Sequence, residues 1–412
     1  MIILGMSGTF RFGSESASCA LLIDGEVVGA CEEERFTRIK YGRGCVPVRA
    51  MTYLLNANEL SLGDIDVFTY HVDTYSGFEE ELIRFLKNQY RYLPRKILAT
   101  NHHLAHGANA FWGSGFSEAA VITNDYAGDG LCGGLYYGKE NQLNTIETIS
   151  SKGGKSLGKY YAAFTQFLGF ERGDEYKVMG LAAYGESSKL YDFDSVIKVS
   201  ETDYTINPKI YFDGPSMTFQ QFVFSDDYLD QLGLPRRKPG SPVTDEHKNL
   251  AFTVQYWFEK AMLALARRIK EKTNARYLAV AGGCGCNTVA NRALQKSKIF
   301  EKVYIPSAPS DAGNALGGAY LAAAEAGQKV SPQVSAYLGP SYDNKEIRLW
   351  LDRLQVKGVY IENVTERAAK DIAGSKLVGW FQGRSEFGPR ALGSRSILAN
   401  PCDPSMKDKI NR

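Results

Sequence analysis

The chain opens with apolar runs cut by small polar turns. Ile2 to Gly5 forms a short apolar run, Ser7 to Ser18 is rich in glycine and serine, and Ala20-Leu-Leu-Ile23 is apolar again. Asp24-Gly25 then separates that run from Glu26-Val-Val-Gly-Ala30. Two apolar runs joined by Asp-Gly predict a β-hairpin. The pattern returns at Ala119-Ala-Val-Ile-Thr123, followed by the acidic turn Asn124-Asp125-Tyr-Ala-Gly-Asp129-Gly130 and by Gly133-Gly-Leu-Tyr-Tyr137. Two such hairpins predict a duplicated fold with a cleft between its halves.

Later segments alternate helix and strand. Apolar positions at helical spacing predict a helix over Val254–Lys272. Tyr277–Ala281 reads as a buried strand. It runs into Gly282-Gly-Cys-Gly-Cys-Asn287 and then a helix over Thr288–Lys296. Val303–Ile305 is another strand, and Asn314–Ala326 an alanine-rich helix. Gly327 to Asp343, with two prolines, three serines and two glycines, reads as a linker. Beyond it the pattern predicts a helix, a strand at Leu377–Phe381 and an arginine-rich loop.

Composition narrows the class without choosing a function. The 412 residues are 44% hydrophobic and 23% charged, ordinary for a globular chain of two or three domains. A net charge of +2 gives no field that would favour nucleic acid or an anionic membrane, so neither is expected as a partner. Seven scattered cysteines without a CxxC pair argue against a zinc ribbon or a disulfide scaffold. With no basic, long-apolar leader and no membrane-length apolar run, a cytoplasmic protein is expected.

Candidate chemistry gathers in three stretches. In His102-His103-Leu-Ala-His106, residues four apart share a helix face, so His102 and His106 can hold one metal while His103 points elsewhere. A surface helix with chance histidines is the plain alternative. Asp125 and Asp311, in glycine-rich turns after apolar strands, are the best-placed carboxylates to complete a site, although aspartates also form turns there. Two imidazoles and two carboxylates suit Fe(II), Mn(II) or Zn(II). Gly282, Gly283 and Gly285 would let backbone approach phosphate at the start of a helix, with a tight structural turn as the alternative. The stretch lacks the ending of a Walker loop. Arg384, Arg390 and Arg395 form the third group, whose guanidinium forks suit phosphate or carboxylate.

Together these stretches resemble the O-carbamoyltransferase family of nodulation factors and antibiotics. Five pieces carry the likeness, in order along the chain: Cys31-Glu-Glu-Glu-Arg-Phe-Thr-Arg-Ile-Lys40, Asn101-His-His-Leu-Ala-His106, Glu175-Tyr-Lys-Val-Met-Gly-Leu-Ala-Ala-Tyr-Gly185, Pro309-Ser-Asp-Ala-Gly-Asn-Ala-Leu-Gly317, and Gly383 to Pro401. The resemblance implies an α/β chain in two parts. Residues 1–335 would be similar to the enzyme that makes threonylcarbamoyladenosine on tRNA, a duplicated actin-like ATPase (ribonuclease-H-like) fold. Residues 344–412 would begin a YrdC-like domain. Such enzymes join ATP and carbamoyl phosphate into carbamoyl-adenylate in the second domain. A hydroxyl of a small acceptor then attacks it in the first.

Carried onto this sequence, the resemblance makes His102, His106, Asp125 and Asp311 ligands of a metal, usually iron(II). It makes Gly282, Gly283, Gly285 and Asn287 the nucleotide loop, joined by Gly180 and Asn314. Lys177 would act near the nucleotide, and Arg384, Arg390 and Arg395 would bind phosphates. Two departures stand out. Where the family's first loop carries a histidine, this chain has Glu15, which becomes the candidate base for the acceptor hydroxyl. About 70 residues follow the linker, fewer than a full domain of that kind, so a truncated second domain is expected. Competing readings are a tRNA-modifying transferase, a kinase of the same fold and a non-catalytic nucleotide sensor.

Overall fold

The computed structural model describes residues 1–10, 16–71, 76–211 and 225–411. They form two compact units, Met1–Val334 and Ser335–Arg412.

The first unit begins with strands β1 (Ile2–Ser7), β2 (Ser18–Ile23) and β3 (Glu26–Glu32). Asp24 and Gly25 both take positive φ, 50° and 83°, the conformation that a two-residue hairpin requires. Helices α1 (Glu34–Thr37) and α2 (Val48–Ala57) lead to β4 (Val67–Tyr70), and α3 (Phe78–Tyr90) leads to β5 (Lys96–Ala99). The sheet order is β3-β2-β1-β4-β5, antiparallel across β1–β3 and parallel across β1, β4 and β5. Under it Leu4, Met6, Leu21, Met51, Leu54, Phe68, Leu82 and Leu86 form one core.

After α4 (His102–Ser114) the plan repeats. β6 (Glu118–Gly128), β7 (Leu131–Lys139) and β8 (Gln142–Ser150) form an antiparallel meander. Helices α5 (Leu157–Phe167) and α6 (Glu175–Ala182), a small hairpin of β9 (Ile197–Val199) and β10 (Tyr204–Ile206), α7 (Asp226–Gln231) and α8 (Asp245–Thr273) follow. β11 (Tyr277–Ala281), α9 (Thr288–Ser297), β12 (Lys302–Tyr304) and α10 (Asn314–Glu325) close the unit. Here β11 and β12 add in parallel beside β6, giving β12-β11-β6-β7-β8. Both sheets therefore have three antiparallel strands and then two parallel ones on the same side of the first. That is the duplicated ribonuclease-H-like plan of actin-like ATPases.

Helix α10 packs against β1 and α4 at the centre of the unit. A methyl group on its Gly317 would lie 1.9 Å from the carbonyl oxygen of Ala105, so only glycine allows this approach.

In this unit one sequence expectation needs revision. Helix α8 starts nine residues before Val254, because Thr244 and His247 form a capping box there, the His247 ring accepting the Thr244 N–H at 3.0 Å. The boundary between the two units falls inside the segment read as a linker, whose first half is held by hydrogen bonds. Ser331 N–H donates to Gly25 O at 3.0 Å and Gln333 N–H to Gly113 O at 3.2 Å, so the first half belongs to the first unit.

The second unit contains α11 (Asn344–Arg353), α12 (Val364–Ala373), the antiparallel pair β13 (Val378–Phe381) and β14 (Arg395–Leu398), and α13 (Met406–Asn411). The sequence pattern predicted one helix before β13, and the unit has two.

Candidate metal and nucleotide site

Helix α4 starts at a fixed point. The Asn101 side chain caps it by accepting the Leu104 N–H at 3.1 Å, and the Asp129 carboxylate accepts the His102 N–H at 2.8 Å. His102 and His106 then project from one face, 3% and 0% exposed. Asp125 comes from β6 where the ladder with β7 is irregular between Asn124 and Gly128, a bulge that redirects side chains. Asp311 opens a 3-10 turn before α10.

The four side chains converge. Nε2 of His106 lies 3.1 Å from Nε2 of His102, 3.1 Å from Asp125 Oδ2 and 3.3 Å from Asp311 Oδ1. Nε2 of His102 lies 3.5 Å from Asp311 Oδ1 and 3.8 Å from Asp125 Oδ2. One donor atom from each residue falls within 4.8 Å of all the others. Ligand atoms on bonds of about 2.1 Å lie roughly 3.0–3.4 Å apart when adjacent, so the three spacings around His106 fit one ion and the two longer ones from His102 lie just beyond that range. Burial alone would push the Asp125 carboxyl up, yet the two imidazoles hold it well below the usual range. Two carboxylates at a mostly buried point need a positive partner, and a divalent cation provides one.

His103 does point elsewhere. Its Nδ1 lies 3.3 Å from Thr123 Oγ1, and burial followed by the neighbouring His102 and His106 pushes it down to about 3. His71, next after β4, also abuts the cluster. Its ring centre is 5.1 Å from that of His102 and its Nε2 is 2.8 Å from Ser7 Oγ. No spacing in the sequence links residues so far apart.

The glycine stretch lies beside this cluster of histidines and aspartates. Gly282 has φ +88°, and a methyl group there would lie 2.2 Å from the Asn124 carbonyl oxygen. The Gly282 N–H donates to Pro309 O at 2.7 Å, and the Gly283 N–H donates to Asp125 Oδ2 at 3.0 Å. Asp125 thus serves both the imidazoles and the loop. Gly285 and Asn287 follow in the same turn. Asn287 caps α9 by accepting the Ala290 N–H at 3.0 Å and exchanges hydrogen bonds with Gln255. Met179 of α6 accepts a contact from Thr288 Oγ1 at 3.7 Å, which puts the stretch holding Lys177 and Gly180 near this turn. Lys177 itself is exposed and paired with Asp174 at 2.9 Å, and Gly180 faces open space. Asn314 lies against the histidine-aspartate cluster, its Nδ2 3.4 Å from His106 Nε2. Glu15 lies outside the described residues.

In the second unit, Arg384 donates to the carbonyls of Leu338 and of Gly339, the latter at 3.1 Å. Arg390 is exposed. Arg395 lies 3.8 Å from Glu386 through Nε. Glu386, fully buried, orders the loop by accepting the N–H groups of Leu392, Ser394 and Arg395 at 2.7, 2.9 and 3.2 Å. Sequence reasoning missed it, because a lone glutamate among arginines reads as a surface charge.

A family description of the carbamoyltransferase N-terminus matches residues 74–320, and one of the carbamoyltransferase C-terminus matches residues 369–412. An uncharacterized protein of Synechocystis sp., sll1178, is 33% identical over 99% of this chain and 72% of its own length. Nodulation protein NolNO of Sinorhizobium fredii is 32% identical over all of this chain, which spans 64% of that protein. Among solved structures, T. kodakarensis HypF overlaps 80% of this chain and 48% of its own, with 12% identity and a TM-score of 0.48.

Proposed function

Because this chain belongs to the carbamoyltransferase family, we propose that it transfers a carbamoyl group to a hydroxyl of a small-molecule acceptor. The donor is carbamoyl-adenylate, derived from ATP and carbamoyl phosphate. The observation that carries this reading is the sharing of Asp125, which faces His106 and accepts the Gly283 N–H. It supports a metal and a nucleotide phosphate bound next to each other.

His102, His106, Asp125 and Asp311 would hold iron(II), with Mn(II) and Zn(II) as the alternatives their donor set allows. A bound divalent ion supplies positive charge beside the adenylate phosphate, the leaving group of the transfer. Backbone around Gly282–Gly285 and the N-terminal end of α9 orient that phosphate. The caps of Asn101 and Asp129 keep His102 and His106 in place for it. Glu15 accepts the proton of the acceptor hydroxyl, and Lys177 lies towards the nucleotide. Arg390 and Arg395 bind phosphate in the second unit, whereas Arg384 is engaged by backbone carbonyls. Glu15→Gln should lower the transfer rate at least tenfold with nucleotide affinity unchanged, and an unchanged rate rejects that role.

The central test compares wild type with His106→Ala by elemental analysis and by calorimetry with ATP. About one metal per chain, lost in the variant together with tight nucleotide binding, supports the transferase. Nucleotide binding without any metal would move the reading to a kinase or a sensor of the same fold.

A further inference from the structure

Asn314 is the first residue of α10, three positions after Asp311, so both lie on one side of the same turn. It is 1% exposed. Its Nδ2 is 3.4 Å from Nε2 of His106, while its Oδ1 is buried with no hydrogen-bond partner among the described residues. That arrangement does not suit a loaded centre. An imidazole nitrogen aimed at a cation has no lone pair to spare for an N–H group, and an amide NH2 turned towards a cation is repelled. The two ends of a carboxamide are exchanged by half a turn about its last bond. The exchange directs the orphaned oxygen at the ion. The 3.4 Å spacing also falls within the 3.1–3.8 Å range that links the imidazole nitrogens to each other and to the carboxylates.

We propose that Asn314 is a fifth protein ligand of the metal centre, bound through its carboxamide oxygen. The inference rests on the metal reading above and extends it. Five protein donors, three of them oxygen, leave a place for a substrate oxygen only in a six-coordinate ion. This favours Fe(II) or Mn(II) over zinc held by four ligands. Asn314 then belongs to the metal rather than to the nucleotide.

The test titrates Co(II) into the metal-stripped full chain and follows visible absorption and calorimetry. Cobalt bands intensify as coordination number falls. Wild type should give the weak bands of a five- or six-coordinate ion. Asn314→Leu, similar in size but without an oxygen, should bind about tenfold more weakly or worse, with stronger bands. Asn314→Asp, which keeps an oxygen and adds charge, should bind more tightly than wild type while its bands stay weak. Intense four-coordinate bands in wild type, or affinity and bands unchanged in either variant, overturn the proposal. His106→Ala separates the two levels of the argument. If it leaves cobalt binding intact, the metal reading itself fails. If it abolishes binding while the Asn314 variants match wild type, only the fifth ligand is lost.

Discussion

Gly282 shows how a single missing side chain joins two kinds of chemistry. Its positive φ and its closeness to the Asn124 carbonyl leave no room for a methyl group. Gly282→Ala should cost about 2 kcal/mol or more, read as a lower urea midpoint, and should weaken ATP binding because the loop must move away from Asp125. At this scale the sequence was partly legible. The histidine pair could be read because helical periodicity is local, and the glycines because their spacing is unusual. Asp125 and Asp311 could be named as strand-end carboxylates, but their meeting depends on the bulge in β6 and on α10. His71 and Glu386 left no local signal, since each acts through contacts that only folding creates.

Elements were legible where turns punctuate them. The Asp-Gly hairpin and the run from β11 to α10 follow from pattern alone. α8 was started late because its cap uses His247, an unusual third residue for a capping box. The arginine loop illustrates the opposite case, in which a buried charge orders exposed ones. Burial by itself would raise the Glu386 carboxyl, but the N–H groups of Leu392, Ser394 and Arg395 bring it below the ordinary 4.5. A carboxyl lowered by folding stabilises the loop above that value, and the support disappears as pH falls through the folded value. Amide exchange at Leu392 and Ser394 should therefore show protection fading below pH 4.5 in wild type. In Glu386→Gln protection should be weaker throughout and vary less with pH.

For the whole first unit, duplication was visible in sequence only as two similar hairpins. Parallel strands β4, β5, β11 and β12 complete each half; β11 and β12 were read as apolar runs, whereas β4 and β5, four residues each, are too short to carry a periodic signature. What joins the halves is α10, packed against β1 on one side and α4 on the other, and the candidate donors gather from α4, β6 and the turn before α10. A ligand that binds only the folded state stabilises it by about 2.7 kcal/mol at a hundredfold excess over its Kd. Stripping the metal with a chelator should accordingly lower the melting temperature of wild type by a few degrees and leave His106→Ala unchanged, as differential scanning calorimetry can check.

The placement of these donors also sets an order in time. Asn314 and His106 are 208 positions apart, and Ser18 bonds to Ala312 across 294. A ribosome adds residues at about 5–20 per second, so the helix bearing both histidines waits roughly ten seconds or more for Asp311 to be made. Until then a nascent chain offers at most two imidazoles and the Asp125 carboxylate, an incomplete set of donors. On the proposed reading, a metal held by all four side chains is captured late in biogenesis, once Asp311 has been made.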